Sequence, residues 1–262
     1  MVHRENQKDG LNMQKGSGKV FADISSMGKI LESYVYVNDI LTEEMYYSYI
    51  GDTVTRDVRK YYDNGERWTS GKEIGILQSN QYMSFRNDGP FYAYNKNGNL
   101  LIYAEYKEGQ YNGKVETYYE DGTFKELITY KDGKKDGKTY RNYPDGKLEF
   151  EGAYKADLRE GTWCEFLNNG DPKSETGYKD GLYHGIYHIY ATNESGTQAE
   201  AIHVIGQYEE NKMNGIWIYG YHNTGYVEKY LYENGIMVWK EIGNTRTYFN
   251  ADGSIKSTEK IN

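Results

Sequence analysis

Aromatic and β-branched residues alternate with polar ones in short runs along most of the chain, and glycine-containing pairs separate the runs. The segments KVETYY at 114–119 and FKELITYK at 124–131 show this partial period of two. Successive side chains of a strand point to opposite faces, so a period of two predicts strands. The intervening pairs, such as Asn97-Gly98 and Asp121-Gly122, favour the positive φ of tight hairpin turns. The pattern therefore predicts successive β-hairpins.

A repeat of 24 residues organises these hairpins. Its anchor is a glycine that recurs every 24 residues and, in the last copy, after 30: Gly89, Gly113, Gly137, Gly161, Gly185 and Gly215. Seven residues before each anchor glycine stands a tyrosine: Tyr82, Tyr106, Tyr130, Tyr154, Tyr178 and Tyr208. A fixed period indicates stacked copies of one supersecondary unit. The predicted fold is all-β, with tandem β-hairpin repeats forming one elongated, twisted antiparallel sheet.

The repeat also predicts how the chain is organised. The predicted segments are a flexible leader at 1–19, degenerate N-terminal hairpins or a cap at 20–80, six repeats at 81–226, and a degenerate C-terminal repeat or cap at 227–262. Divergent end copies are expected, because a terminal repeat must cover an exposed strand edge. Within 38–50 we expect a short helix, because Thr42 is a suitable N-cap and Glu43 and Glu44 suit a first helical turn.

The segment YKDGKKDGKTYRNYPDGKL at 130–148 resembles the MORN repeat in its bacterial variant, Y-K-[DE]-G-K-x-[DN]-G-x-x-x-x-Y-x-x-[DN]-G-x-L. The segments at 106–122 and 178–190 fit nearly as well. This pattern is similar to that of the YwqK-type group of MORN-variant proteins, many of which are labelled antitoxin or immunity components. The resemblance covers about 61–255 and implies a sheet of hairpins. Two copies depart from it, since Asp157 and Asn211 replace the first loop glycine.

The composition indicates a thin core and an acidic surface. Hydrophobic residues make up 37% of the chain, a share that includes 30 tyrosines, and there are 30 glycines but only 3 prolines. Because tyrosine packs its ring while its hydroxyl stays hydrated, we expect a solvent-rich β structure. The net charge of −8 without a basic stripe argues against nucleic-acid partners and against anionic membranes. It favours a basic partner, although acidic charge also serves solubility alone.

Residues that carry chemistry are present, but their spacing is not that of a catalytic or metal site. The segment GKKDGKT at 133–139 is one residue shorter than a phosphate-binding loop and lies between strands. His184 and His188 are four residues apart, without the glutamate of a zinc protease motif, and Cys164 has no recognisable histidine partner. We therefore expect no catalytic residues, no metal and no cofactor.

The remaining candidates are aromatic residues two, four and six positions after the anchor glycines. Alternate residues share one face of a strand, so these side chains should form a ladder on one side of the sheet. The candidates for partner binding are Tyr119, Tyr143, Trp163, Tyr187, Trp217, Tyr219 and Tyr221. Two interpretations stay open: the ladder is the core, or part of it is an exposed aromatic stripe of the kind found at binding hot spots.

Together these features predict a non-enzymatic protein that binds another protein. The resemblance implies an antitoxin or immunity protein that neutralises a cognate toxin, such as a basic toxin domain, by occluding it. The alternatives are a structural or adhesin-like surface scaffold and a lipid-binding MORN module. One cysteine and no apolar leader favour a cytoplasmic location, or a periplasmic or surface one if a leader has been removed. The oligomeric state stays open.

Overall fold

The computed structural model describes residues 13–15, 18–25, 29–76, 84–190, 202–221 and 225–261. The chain divides into two compact units. Unit 1 contains Met1–Lys125 and Thr129–Lys134, and unit 2 contains Glu126–Ile128 and Lys135–Asn262. Within the described ranges all regular secondary structure is β-strand, which confirms the predicted all-β class.

Both units are antiparallel meanders in which each strand pairs with its chain neighbours. Unit 1 contains β1 (Met13–Lys15), β2 (Gly18–Ile24), β3 (Ile30–Val37), β4 (Ile40–Ile50), β5 (Thr53–Tyr61), β6 (Arg67–Ile76), β7 (Arg86–Tyr94), β8 (Leu100–Lys107) and β9 (Gln110–Tyr118). Residues of β10 (Phe124–Lys131) fall in both units. Unit 2 continues with β11 (Lys134–Asn142), β12 (Leu148–Lys155), β13 (Leu158–Phe166), β14 (Pro172–Lys179), β15 (Leu182–Ile189), β16 (Ile202–Glu209), β17 (Lys212–Tyr221), β18 (Tyr226–Glu233), β19 (Ile236–Ile242), β20 (Thr245–Phe249) and β21 (Ile255–Lys260).

The tightest turns of the repeat do not lie at the Asn-Gly and Asp-Gly pairs where tight hairpin turns were predicted. Glu108 and Gly109 join β8 to β9 with φ of 50° and 84°. Two successive positive φ values define a two-residue type I′ turn, which matches the twist of the strands it joins. The predicted tight turn at Asn97-Gly98 is longer: the Asn95 N–H donates to Asn99 O at 2.9 Å, and only Gly98 has a positive φ. The tight two-residue turn therefore lies in the other loop of the repeat, and the loop at Asn97-Gly98 is the longer one.

The substituted loop positions keep the turn geometry of the repeat. Asp157 and Asn211, which replace the loop glycine, have φ of 71° and 66°. Asp and Asn tolerate this region better than other side chains because they hydrogen-bond locally. Here the Asp157 carboxylate accepts the Lys135 N–H at 2.8 Å. The substitutions therefore leave the hairpin intact.

The anchor glycines lie inside strands, at β-bulges. Between β8 and β9, Ala104 pairs with Val115 and Tyr106 with Tyr111, so the residues around Gly113 oppose the single residue Glu105. Gly113 has a φ of 123°, and a Cβ there would lie 1.8 Å from the Glu105 carboxylate. A left-handed backbone and a close neighbour together explain why glycine recurs at this position. The other anchor glycines also have positive φ: Gly89, Gly137, Gly161, Gly185 and Gly215.

The repeat tyrosines stack on one face, which we call the aromatic face. Ring centres of Tyr106 and Tyr111 are 4.7 Å apart, and those of Tyr111 and Tyr130 are 5.0 Å apart. In unit 2, Tyr183 lies 5.1 Å from both Tyr178 and Tyr208. Cross-strand ring contacts of this kind stabilise a sheet in place of a second layer. Tyr154 joins the same face beside Trp163, and Tyr82 lies outside the described residues.

Two tryptophans form the best-buried part of the core of unit 2. Trp163 and Trp217 are 4% and 1% exposed. Each ring lies over a glycine of the preceding strand, and a Cβ on Gly152 or Gly206 would come within 2.4 or 2.2 Å of that ring. Each indole N–H donates at 3.2 Å to a backbone carbonyl of the same preceding strand. Glycine thus creates the space that a bulky ring fills in a thin sheet.

The helix expected within 38–50 is wrong, because β4 covers Ile40–Ile50. Thr42 is the extra residue of a bulge opposite β3, and its hydroxyl donates to Val35 O at 3.0 Å. Pairing with strands on both sides satisfies the backbone and outweighs the local helix-start signal. The predicted leader at 1–19 is too long, since 13–15 and 18–19 belong to paired strands.

Replacing Gly206 by alanine should destabilise the protein by about 1–3 kcal/mol, because the new methyl group overlaps the buried Trp217 ring. Gly220 is the matched control: it lies in the neighbouring strand, and a Cβ there would lie 3.8 Å from the nearest atom. We expect Gly220→Ala to leave the urea midpoint unchanged or slightly raised. Equal midpoints for the two variants would contradict the packing of Trp217 on Gly206.

The turn at Ala156-Asp157 is open to stabilisation. Ala156 has a φ of 50°, a conformation that is unfavourable for alanine and tolerated by asparagine. Ala156→Asn should therefore raise the free energy of unfolding by about 0.5–1 kcal/mol in urea titrations. In the preceding turn, Gly133→Ala should have the opposite effect and lower the free energy of unfolding by about 1 kcal/mol. Space for the methyl group is available there, but the backbone is left-handed. A loss of stability in Ala156→Asn would refute this interpretation.

Candidate functional site

The aromatic face carries most of the sequence-predicted binding residues, but two of them are unavailable. Trp163 and Trp217 are buried, so their rings are core and do not reach a partner. Tyr187 and Tyr219 are half-buried on the same face, as is Tyr221 at the end of β17. A partner-binding role for these three tyrosines stays a prediction.

The other two candidates lie in hairpin loops, where they have structural contacts. The Tyr143 hydroxyl donates to Phe166 O, at the end of β13, at 2.9 Å. Tyr119 opens its loop by donating its N–H to Thr123 O, and the Lys125 ammonium lies 5.4 Å from its ring centre. The structure therefore places Tyr119 and Tyr143 away from the other candidates.

Strands β15 to β18 hold the densest group of rings in the described structure. We name this group the C-terminal aromatic cluster; it comprises Tyr183, Tyr187, Tyr208, Trp217, Tyr219, Tyr221, Tyr226, Tyr230 and Tyr232. Strand register places all of them on one face. Trp217 lies at the centre, 5.4 Å from Tyr187 and 4.9 Å from Tyr208. Tyrosines surround this buried ring.

Two members of the cluster are well exposed, and sequence analysis did not single them out. Tyr183 is 39% and Tyr226 is 40% exposed. Tyr183 stands two residues before an anchor glycine, a position on the same face as the repeat tyrosines. The alternation of strand faces, followed backwards from Gly185, would have identified Tyr183 as a candidate. Tyr226 pairs with Tyr221 across the β17–β18 hairpin. The sequence alone did not predict this pairing, because the irregular spacing of the last repeat leaves the strand register undefined.

Four half-buried hydroxyls of the cluster remain neutral. Burial, and then the neighbouring Tyr232, raises the pKa of Tyr219 to about 12. Burial likewise raises the pKa values of Tyr187, Tyr208 and Tyr232. Each of these hydroxyls therefore offers both a donor and an acceptor at physiological pH.

The face opposite the aromatic face brings together two histidines that are distant in sequence. The Nε2 atoms of His188 on β15 and His203 on β16 are in direct contact, and the Tyr190 ring stacks 3.9 Å from His188. Burial and His203 lower the pKa of His188, whereas the charge of Glu175 on β14 raises it. His184 and His188, which are four residues apart in the sequence, are not brought together as a site. Among the described residues no group of three or more potential metal ligands occurs.

The thiol of Cys164 lies on this opposite face and is not activated. Strand register places it beside Glu151 and Glu175. Burial, followed by the charges of these two carboxylates, raises the pKa of the thiol. A protonated thiol next to acidic groups is the reverse of the electropositive setting of a nucleophilic cysteine.

The fold and the repeated turns define a β-hairpin repeat protein. Three consecutive stretches match the MORN repeat variant family: 111–132, 135–156 and 159–180. These three stretches are therefore tandem repeats similar to the MORN repeat variant. In the described residues, no helix is long and apolar enough to cross a membrane.

Comparison with whole proteins adds little. No curated protein matches the chain. One similar solved structure is described as "Crystal Structure of TcdB2-TccC3-Cdc42"; the match is 10% identical and has a TM-score of 0.17. It covers 94% of this chain but only 17% of that chain. A likeness at this TM-score carries no argument about fold or function.

The histidine pair predicts a pH-dependent stability. Because the folded pKa of His188 lies below its ordinary value of 6.5, the unfolded chain binds a proton more readily. The free energy of unfolding should therefore fall as the pH drops below 6.5, and His188→Gln should flatten this slope. Glu175→Gln should steepen it, because that carboxylate favours the protonated histidine. Urea titrations across this range measure the slopes; an unchanged slope in His188→Gln would exclude the pair as its source.

Proposed function

We propose that this protein is a non-enzymatic binding protein and that it holds a protein partner on the C-terminal aromatic cluster. The supporting observation is the cluster itself: tyrosines surround a buried tryptophan, and Tyr183 and Tyr226 are exposed at 39% and 40%. Tyrosine and tryptophan are enriched where binding energy is concentrated, because their rings bury much area at little entropic cost. Rings held by cross-strand stacking are already ordered before a partner arrives.

The partner that fits best is a basic protein. The chain has a net charge of −8, which attracts positively charged partners and speeds their approach. The same charge repels nucleic acid and anionic lipid. In its most specific form the proposal is an immunity protein, which neutralises a toxin by covering its functional surface. The resemblance to the YwqK-type group supports that form.

A structural scaffold is the second candidate, and one observation favours it. All six residues of β21, Ile255–Lys260, are exposed, and among the described residues this strand pairs with β20 alone. A strand edge with unpaired backbone groups can add another strand. Assembly along this edge would extend a surface rather than neutralise a partner, and sedimentation at increasing concentration distinguishes the two.

Alanine substitutions at Tyr183 and Tyr226 should weaken partner binding by about tenfold each, a typical hot-spot effect. The partner to test is the product of the adjacent gene, by co-purification, titration calorimetry and protection of cells that express it. Ile216 on the opposite face, 53% exposed, is the matched control, and its alanine variant should bind normally. Absence of any binding or protection would refute the immunity form; normal binding by both tyrosine variants would refute the site.

A further inference from the structure

In two repeats outside the C-terminal aromatic cluster, a cation of the chain covers a ring of the aromatic face. In the repeat of β13, the Arg159 guanidinium lies 4.2 Å from the Trp163 ring centre and donates to the Tyr178 hydroxyl at 2.9 Å. In the repeat of β11, the Lys135 ammonium lies 4.9 Å from the Tyr154 ring centre. Cations are held over these rings by the negative potential of the ring face. Both cations stand two residues before an anchor glycine.

The cluster has the same frame without the cation. In the last repeat Trp217 takes the place of Trp163, and Tyr232 takes the place of Tyr178. The residue equivalent to Arg159 is Met213, which has no charge. In the repeat before it, the equivalent residue is Tyr183.

Among the described residues, no other lysine or arginine takes the place of Arg159 in this repeat. The sequence contains no Lys or Arg at 180–211 or at 213–228. Lys212 and Lys229 fall on the opposite face by strand alternation, and the Lys229 ammonium pairs with Glu241 at 3.2 Å. The next cation on the aromatic face, Lys240, pairs across the strands with Tyr230 at the edge of the cluster, and its ammonium lies 5.8 Å from the Phe249 ring centre.

The cluster also contains polar groups that lack partners. Elsewhere, half-buried tyrosine hydroxyls donate to a carboxylate or carbonyl, as Tyr103 does to Glu105 and Tyr143 to Phe166. None of the described residues hydrogen-bonds to the hydroxyls of four half-buried cluster members: Tyr187, Tyr208, Tyr219 and Tyr232. These hydroxyls are open to solvent and not fully buried, so each can accept a hydrogen bond from an external donor. Glu228 lies on the same face and accepts the Tyr230 hydroxyl through one carboxylate oxygen, at 2.6 Å.

We propose that the C-terminal aromatic cluster is an arginine-binding site, which takes the guanidinium of an arginine-bearing segment of the partner. The guanidinium stacks on the tyrosine rings and donates to the Tyr219 and Tyr232 hydroxyls and to Glu228. This inference rests on the proposed function and specifies the partner's chemistry. Arginine fits better than lysine, because its planar group stacks on rings and presents several donors, whereas an ammonium is compact and strongly hydrated.

The test compares three peptides of alternating glycine with arginine, lysine or citrulline, titrated into the intact protein by calorimetry. Arginine and lysine peptides carry the same charge, so attraction to an acidic protein affects both equally. We expect the arginine peptide to bind about tenfold more tightly than the lysine peptide, and the uncharged citrulline peptide not to bind measurably. Equal affinities for arginine and lysine would overturn the proposal and leave net-charge attraction alone.

Three variants locate the site without large changes to the fold. Tyr232→Phe keeps the ring and removes one hydroxyl, Tyr219→Leu removes a ring, and Glu228→Gln removes the local charge; each should reduce the preference for arginine severalfold. Tyr248→Leu is the matched control: its ring lies on the opposite face of β20, where its hydroxyl donates to Glu259. Circular dichroism and melting curves establish that each variant is folded. A preference that survives all three cluster variants would refute the assignment.

The outcomes separate this inference from the proposed function. If alanine at Tyr183 and Tyr226 abolishes partner binding while arginine and lysine peptides bind equally, the partner site stands and its arginine chemistry does not. If the arginine preference depends on the cluster but the partner still binds the tyrosine variants, the arginine site stands and the proposed partner surface does not.

Discussion

Stacking between aromatic rings on neighbouring strands is the interaction on which both units depend. Among the described residues of each unit, the substantial contacts of a strand are with its neighbours along the chain, and no second layer buries one face of the sheet. Rings such as Tyr178, Tyr183 and Tyr208 therefore bury one another sideways, at separations near 5.1 Å. Tyrosine suits this arrangement, because its ring packs while its hydroxyl remains available to water or to a ligand.

The glycines of the repeat are needed for this stacking in two different ways. At Gly113 the backbone is left-handed and bulged, which sets the strand register around the tyrosines. At Gly152 and Gly206 the backbone is extended, and the missing side chain makes room for Trp163 and Trp217. The first kind of glycine shapes the strand, and the second lets a ring approach the sheet closely. A thin sheet thereby acquires a few well-buried residues.

A candidate site arises where one repeat keeps this frame but changes its charge. The arrangement of Arg159, Trp163 and Tyr178 is self-contained, since the cation, ring and hydroxyl satisfy each other. With Met213 in place of the arginine, the rings and hydroxyls remain while the internal cation is gone. Repetition of a fold thus allows single substitutions to convert a structural contact into a binding one. In the proposed site, the aromatic frame carries stability and the variable position would carry recognition.

The sequence by itself determined most of the strands and the hairpin repeat, because both follow from local periodicity and from the backbone freedom of glycine. It did not reveal that Ile40–Ile50 is a strand, since pairing on both sides outweighed the helix-start signal at Thr42. Only the tertiary structure decided which rings are core and which are surface. Trp217 and Tyr183 share one face, yet they are 1% and 39% exposed. Alternation specifies the face on which a side chain lies. Its burial depends on which side chains of the neighbouring strands cover it, and these are known only once the strand register is known.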